Sequence, residues 1–317
     1  MDDLPTLIGN LRKYKTFIAG FPLEQQASRI EHLFARSLSL ALRLPFYTLD
    51  NDDSNVKHRV VWNGSKTNWT RGEGTPDGIV YAHEYCILLE ATLKTGTKQW
   101  TQEVSRSLQH YEDFAQQTGL RSQDCYLLML VTELNSHTYT MVKQKVKERC
   151  CYVLLPVANL VSVLETCALA FTIRHADLRL LFGKIMDSCE RSVAVADFLT
   201  KSAEEVGQWR VDRLENEQSL FVSAKSYRVL KHMGRHAGVS EIYGQLYSDS
   251  SVAQYFEALG RTLTYNDIVD SLERESLAYK AENIPSGEAI YFPVPFLDIK
   301  DRVKTFIREM ENAGASL

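Results

Sequence analysis

The sequence predicts an α/β fold in which a mixed sheet of about five strands is flanked by helices and followed by a mainly helical C-terminal region. Residues 124–132 and 150–155 are continuous apolar runs separated by a helical pattern. Such runs are typical of parallel strands that are buried on both faces. Residues 79–81 and 85–93 are two short β-rich runs around a polar break, which favours a hairpin.

The remaining elements follow from periodicity and turn signals. Residues 4–19 and 22–43 have the spacing of amphipathic helices, and residues 57–62 alternate like a further strand of the sheet. A short strand at residues 289–292 is bounded by prolines. Further helices are predicted at residues 98–117, 136–149, 157–169, 177–214, 221–234, 239–247, 252–259 and 265–279.

The composition is that of an ordinary globular protein, with 317 residues, 44% hydrophobic and 24% charged. No apolar stretch reaches the length of a membrane span and the first residues lack a signal-peptide pattern, so we expect a cytoplasmic protein. The six cysteines form no CxxC pair, which indicates free thiols rather than a zinc ribbon. The net charge of −4 gives no overall attraction to nucleic acid, so DNA binding requires local basic patches.

Three regions are expected along the chain. Residues 1–175 form the α/β core with its N-terminal helices, residues 176–214 form a helical connector, and residues 215–317 form a C-terminal module. The short helices and β segment of this module are typical of a winged helix, although a helical dimerisation module gives the same pattern.

Two acidic residues stand at the ends of the predicted hairpin strands. Pro76-Asp77-Gly78 is a turn that opens the first strand, and Glu90 lies near the end of the second. A carboxylate in so apolar a strand is costly unless it is paired or holds a cation. The convergence of Asp77 and Glu90 therefore predicts a pair of hard oxygen ligands of the kind that Mg²⁺ prefers.

The helix at residues 98–117 carries a regular polar stripe. Gln99, Glu103, Arg106 and His110 stand at i, i+4, i+7 and i+11, so they are expected on one side of the helix. Such a stripe is either a solvated face or part of a site. We favour a site, because the helix begins close enough to Glu90 to fold back over the end of its strand.

These residues together resemble a known family of nucleases. Pro76-Asp77, an apolar strand and Glu90-Ala91-Thr92 resemble the PD-(D/E)xK nuclease core, with Thr92 in place of the usual lysine. Thirteen residues separate Asp77 from Glu90, thirteen separate Glu90 from Glu103, and seven separate Glu103 from His110. With Gln99, this spacing resembles the AlwI kind of Type IIS restriction endonuclease and related nicking enzymes, over roughly residues 25–170.

The resemblance implies a Mg²⁺-dependent endonuclease that acts on double-stranded DNA, with Mn²⁺ able to substitute. Asp77 and Glu90 would hold the metal, and Glu31 is either a third ligand or an exposed helical glutamate. Glu103 would bind a second metal or orient the attacking water. His110 would serve as the general base or assist protonation of the leaving group.

The missing lysine leaves several candidates for its role. Gln99 and Thr92 would position the catalytic groups. Lys94 and Lys98 would contact phosphate or replace the lysine, and the sequence does not choose between these roles.

The C-terminal module contains a basic stripe that is a candidate for contacts with DNA phosphates. The stripe consists of Lys225, Arg228, Lys231 and Arg235. Two other classes of protein remain open. One is a non-catalytic DNA-binding or assembly protein on a nuclease-like fold. The other is a nicking enzyme that needs a homodimer or a partner subunit to cut the second strand.

Overall fold

The computed structural model divides into two compact units, each with its own core. The first comprises residues 1–168 and 173–209, and the second comprises residues 169–172 and 210–317. The predicted boundaries at residues 175 and 214 stay a prediction. The structure describes residues 3–44, 46–48, 58–62, 65–69, 76–81, 85–93, 99–118, 124–148, 150–170, 173–234, 236–281, 290–293, 295, 299 and 301–312.

The N-terminal helices of the first unit are shorter than the sequence predicts. The segment at residues 4–19 forms two helices, because α1 (Leu4–Arg12) ends at Lys13 and α2 (Tyr14–Ala19) begins directly after it. The third helix, α3 (Leu23–Leu42), packs against the strands of the main sheet. It buries Ile30, Leu33 and other apolar residues of one stripe, as an amphipathic helix should.

The main sheet has five strands in the order β1-β4-β5-β6-β7. The first three strands pair antiparallel, and β5, β6 and β7 run parallel. All seven residues of β5 and all seven of β6 are buried, as expected for continuous apolar strands in a parallel sheet. The strands are β1 (Phe46–Thr48), β4 (Gly78–Tyr81), β5 (Cys86–Thr92), β6 (Cys125–Val131) and β7 (Tyr152–Pro156).

The strand predicted at residues 57–62 exists but does not join the main sheet. It is β2 (His58–Trp62), which pairs with β3 (Ser65–Trp69) in a separate two-stranded hairpin. The edge position belongs instead to β1, whose Phe46 lies opposite Val80. An alternating pattern marks a strand but does not identify its partner, which explains the wrong assignment.

Helices surround the sheet. A six-residue π-helix (Gln99–Val104) leads into α4 (Ser105–Thr118), which contacts β6. Both α5 (Ser136–Lys147) and α7 (His175–Arg191) contact β7. The connection from β6 through α5 to β7 gives the predicted parallel pair. The predicted mixed sheet flanked by helices, with a mainly helical remainder, is therefore confirmed.

The second unit combines helices with a small antiparallel sheet in the order β8-β10-β9. The sequence predicts β10, whereas β8 and β9 are not foreseen, because two to four residues give little periodicity. The sequence analysis also does not predict α12, although it is twelve residues long. The core contains Phe221, Tyr255 and Tyr291. The strands are β8 (Ala237–Gly238), β9 (Ala278–Ala281) and β10 (Ile290–Pro293). Earlier in the chain, α6 (Val157–Leu169) lies between β7 and α7. The helices after α7 are α8 (Val195–Met233), α9 (Val239–Tyr247), α10 (Ser250–Ala258), α11 (Tyr265–Glu275) and α12 (Asp301–Asn312).

Within the described ranges, no helix is long and apolar enough to cross a membrane.

Candidate active site

The hairpin of β4 and β5 brings Asp77 and Glu90 together. Gly78 lies opposite Leu89, so the next step of the antiparallel register places Asp77 opposite Glu90. Residues that lie opposite each other in such a pair project from the same face of the sheet. The backbone N–H of Ala91 donates to Asp77 Oδ2 at 3.0 Å, which fixes that carboxyl group beside the strand.

Burial acts strongly on both carboxyl groups, and the charge of Glu90 acts on Asp77 as well. Only 3% of Glu90 is exposed. Desolvation is the main cause that raises the pKa of Glu90 from 4.5 to about 8, and the side chains of Glu103 and Glu31 raise it further. The pKa of Asp77 is raised well above its ordinary value, first by desolvation and then by Glu90. Without a cation, this pair therefore holds on to a proton at neutral pH.

His110 contacts Glu90 directly. Its imidazole Nδ1 lies 2.6 Å from Glu90 Oε1, and only 1% of the residue is exposed. On the other side of the ring, Arg106 Nε donates to His110 Nε2 at 3.3 Å. Because Nε2 accepts, the ring proton is on Nδ1 and is donated to Glu90. Burial and the Arg106 charge both lower the pKa of His110, which favours this neutral ring.

The helix that carries His110 is anchored to the same face of the sheet. Ser107, one turn before His110, forms a 2.8 Å hydrogen bond with the hydroxyl of Tyr152 on β7. That hydroxyl also donates to the sulfur of Met129, which lies opposite Glu90 in the parallel register. A buried polar contact of this kind holds α4 in one position over the site.

Glu103 and Glu31 belong to the electrostatic environment of the pair. Both raise the pKa of Glu90 by repulsion, and Glu103 also raises the pKa of Asp77. Glu103 is partly buried at the end of the π-helix, and Glu31 is partly buried on α3. The structure thus brings Glu103, Glu31 and His110 to the carboxylate pair. Their catalytic and metal-binding roles stay predictions.

Gln99 takes a different position from the one expected. Its amide Nε2 donates to the carbonyl oxygen of Glu133 at 2.7 Å, and its Oε1 accepts from the N–H of Asn135 at 3.0 Å. Gln99 therefore ties the start of its helix to the turn between β6 and α5. The predicted α-helical spacing does not hold here, because Gln99 lies in a π-helix with wider turns.

The other predicted site residues of this unit divide into two groups. Thr92 is the last residue of β5 and is buried, two residues beyond Glu90 and therefore on the same face of the strand. Lys94 and Lys98 lie outside the described residues.

Arg106 lies beside the pair, although the sequence analysis placed it on the polar stripe without giving it a role. It is exposed, hydrogen-bonds to His110, and lowers the pKa values of both Asp77 and Glu90 by its positive charge. The signal in the sequence was its position four residues before His110 on the same helix.

The chemistry of the donor set fits a divalent cation. Two buried carboxyl groups that repel each other are neutralised when they share a cation, and Mg²⁺ commonly uses one or two carboxylates together with water and substrate phosphate. No group of three or more His, Cys, Asp or Glu side chains suited to a metal occurs in the described part of the chain. A site here would therefore take its remaining ligands from water and DNA.

The predicted DNA-binding stripe is only partly exposed. Lys225 is buried, with 4% of its surface exposed, and its Nζ lies 2.8 Å from Asp249 Oδ2. Arg228 and Lys231 are exposed on α8. Arg235 lies outside the described residues. A surface contact from Lys225 to DNA, as the stripe implies, would require this ion pair to open.

Comparison with known proteins gives one family match and a similar solved structure. Residues 71–152 match the family model described as AlwI restriction endonuclease, which confirms the resemblance over a narrower span than expected. No curated protein matches the sequence. One similar solved structure is the small subunit (R.BspD6I2) of the heterodimeric restriction endonuclease R.BspD6I, with 14% identity and a TM-score of 0.44 over 67% of this chain and 98% of that chain.

The raised pKa of Glu90 predicts a pH-dependent cost to folding. A carboxyl group with a pKa of about 8 in the fold, against 4.5 ordinarily, stabilises the protein below about pH 4.5. This contribution is lost as the pH rises through 8. In metal-free buffer, Glu90→Gln should therefore raise the melting temperature, and the gain should grow from pH 5 to pH 8.

Glu112→Gln is the matched control, because Glu112 is exposed on the same region of α4. Its melting temperature should follow the wild type at every pH. If the pair binds Mg²⁺, the added ion should stabilise the wild type at pH 8 more than it stabilises Glu90→Gln. A constant difference between Glu90→Gln and the wild type across this range would refute the buried-charge interpretation.

The contacts of Gln99 predict a mainly structural effect of its removal. Gln99→Ala leaves the Glu133 carbonyl and the Asn135 N–H without their partner and should cost about 1–3 kcal/mol in the free energy of urea unfolding. Gln109→Ala, at an exposed position of α4, should change that free energy by less than about 0.5 kcal/mol. Unchanged stability in Gln99→Ala would show that this bridge does not hold the helix.

Proposed function

From the match of residues 71–152 to the AlwI restriction endonuclease family, we propose that this chain is a metal-dependent DNA endonuclease with a PD-(D/E)xK-type site. The observation that carries the proposal is the Asp77–Glu90 pair, in which Glu90 is buried, desolvation raises the pKa of both groups, and His110 is hydrogen-bonded to Glu90. A structural role for this pair is improbable on energetic grounds, because two desolvated acids side by side destabilise a fold.

Asp77 and Glu90 would hold the divalent cation, Mg²⁺ or Mn²⁺, in this proposal. When bound, such an ion polarises the scissile phosphate and lowers the pKa of the attacking water. The carboxyl groups must give up their proton to bind it, so binding is weaker at low pH. Glu103 and Glu31 add negative charge that favours the cation over the proton. We assign Glu31 to this supporting role or to a third ligand position.

His110 acts in this proposal by positioning Glu90. Both of its ring nitrogens have partners, and its lowered pKa keeps the ring neutral. A histidine that donates to a metal-binding carboxylate fixes the orientation of that group. This role replaces the general base suggested by the sequence, since a base needs a free nitrogen that faces the attacking water.

Arg106 takes the place of the missing lysine in this proposal. A lysine in such a site supplies a fixed positive charge near the scissile phosphate, and Thr92 has none. Arg106 is exposed to the solvent from which DNA approaches, and its Nε is held by His110. A guanidinium group can donate two parallel hydrogen bonds to phosphate oxygens, which is the contact proposed for Arg106.

The second unit is proposed as the DNA-binding module. Its helices α9, α10 and α11 precede the antiparallel strands β9 and β10, and β8 pairs with β10. This order of helices and strands is that of a winged helix with one additional helix. The exposed Arg228 and Lys231 on α8 supply local positive charge in a chain whose net charge is −4.

The carboxylate pair predicts loss of cleavage without loss of the fold. Asp77→Asn and Glu90→Gln should each reduce the rate of supercoiled-plasmid cleavage in Mg²⁺ by about 10³-fold or more, because the ion supplies most of the charge stabilisation. The conversion of supercoiled DNA to nicked and linear forms measures the rate and shows how many strands are cut.

Glu112→Gln should cleave like the wild type, and the wild type in EDTA should not cleave. Run-off sequencing of the products gives the cut positions. A wild-type protein that binds DNA but never cleaves it with Mg²⁺ or Mn²⁺ would support the non-catalytic alternative. Full activity in Asp77→Asn or Glu90→Gln would place the chemistry elsewhere.

The contact between Arg106 and His110 predicts two separable effects. Arg106→Gln removes the charge and should lower the cleavage rate by about 10²-fold, as loss of one electrostatic donor commonly does. Arg106→Lys keeps the charge and should recover part of that rate. Single-turnover cleavage at saturating DNA separates the chemical step from binding, which should change only a few fold.

His110→Gln provides the second readout. It should weaken Mg²⁺ binding, measured by the ion concentration at half-maximal rate, because Glu90 loses the donor that orients it. A general base would instead lower the rate at saturating Mg²⁺ and remove a titration from the pH profile. Equal rates for Arg106→Gln and the wild type would exclude Arg106 from the site.

A further inference from the structure

A pocket of about 420 Å³ lies within the second unit, between the end of α8 and α9. It combines an apolar floor with a polar wall. The floor consists of Val229, Met233 and Leu246, and the wall consists of Lys225, Arg228, His232, Gln245 and Asp249. Three of the five polar residues are basic and one is acidic, so the wall favours an anion.

The single acidic group in the pocket is neutralised within the fold. Asp249 Oδ2 lies 2.8 Å from the buried Lys225 Nζ. The other carboxylate oxygen, Oδ1, accepts from the N–H and the hydroxyl of Ser251 at the start of α10. These hydrogen bonds lower the pKa of Asp249, although its burial opposes them, so the group stays ionised beside Lys225. The pair therefore contributes no net charge.

The donors that remain point to a phosphate group. Arg228 and His232 are four residues apart on α8, so they project from the same side of the helix, and both are exposed. Arg228 brings a forked guanidinium, which suits a tetrahedral oxyanion. His232 and the Gln245 amide add N–H donors. A carboxylate ligand would use the same fork but leave the other donors without acceptors.

We propose that this pocket receives one phosphodiester group of the DNA backbone, with Arg228, His232 and Gln245 as its donors and the Lys225–Asp249 pair as its support. The proposal rests on the proposed function for its ligand, since a nuclease must hold DNA. It differs from a simple basic stripe. In a stripe, each exposed cation on α8 contributes equally, whereas the pocket makes Arg228 more important than Lys231, which does not line it.

The test compares four variants in binding to a fluorescent DNA duplex by anisotropy, in EDTA so that no cleavage occurs. Arg228→Gln should weaken binding about tenfold and reduce the salt slope by about one phosphate contact. His232→Gln should weaken it less. Lys231→Gln removes an exposed charge of the same helix outside the pocket, so it should weaken binding by a smaller factor than Arg228→Gln, about threefold or less.

Asp249→Asn provides a test in the opposite direction. Asparagine still caps α10, but the acidic charge is lost and Lys225 becomes available to phosphate, so the duplex should bind about three- to tenfold more tightly. A gain in affinity cannot arise from unfolding. Circular dichroism checks the fold of each variant, and if Asp249→Asn is unfolded, the contrast between Arg228→Gln and Lys231→Gln decides.

Equal losses for Arg228→Gln and Lys231→Gln would overturn the pocket in favour of a stripe. Unchanged DNA binding in Arg228→Gln, together with a melting temperature that inorganic phosphate raises only in the wild type, would assign the pocket to free phosphate and overturn the proposal. Cleavage is not part of the measurement. A chain that binds DNA through the pocket but never cuts it would refute the endonuclease and leave the pocket standing.

Discussion

The structure of the first unit depends on one costly contact, the approach of two desolvated carboxyl groups at Asp77 and Glu90. The register of β4 and β5 imposes it, because residues that lie opposite each other project from the same face of the sheet. The neighbouring groups reduce the cost: the Ala91 N–H, the His110 ring and the Arg106 charge each favour an ionised acid. None of them removes it, and this remaining cost is the basis of the proposal that a cation binds the pair.

Such a cost requires a rigid and strongly stabilised support. The strands β5 and β6 are buried along their whole length, and burial of their leucine, isoleucine and valine side chains supplies the free energy that the acids consume. The hydroxyl of Tyr152 on β7 also hydrogen-bonds to Ser107 of α4 and to Met129 of β6, and these contacts hold α4 against the sheet. Sequence positions far from the chemistry thus determine whether His110 stays within reach of Glu90.

The sequence was sufficient for those parts of the fold and site that depend on local chemistry. Turn residues and apolar runs located Asp77 and Glu90, and helical spacing placed His110 on the helix that returns to them. Partner choice was not local: β1 rather than β2 completes the sheet, and the π-helix directs Gln99 toward the Glu133–Asn135 turn. The sequence also does not predict the burial of Lys225, because its ion-pair partner Asp249 lies 24 residues away in the chain.

The raised pKa values of the two acids also connect proton release to the proposed function. Desolvation raises the pKa of Glu90 to about 8 and that of Asp77 well above its ordinary value. Arg106 lowers both pKa values, whereas Glu103 raises them. If the pair binds a divalent cation, as we propose, the cation must displace the proton that the pair holds at neutral pH. The cleavage rate of such an enzyme would then depend on pH through these two carboxyl groups, before any contact with DNA is considered.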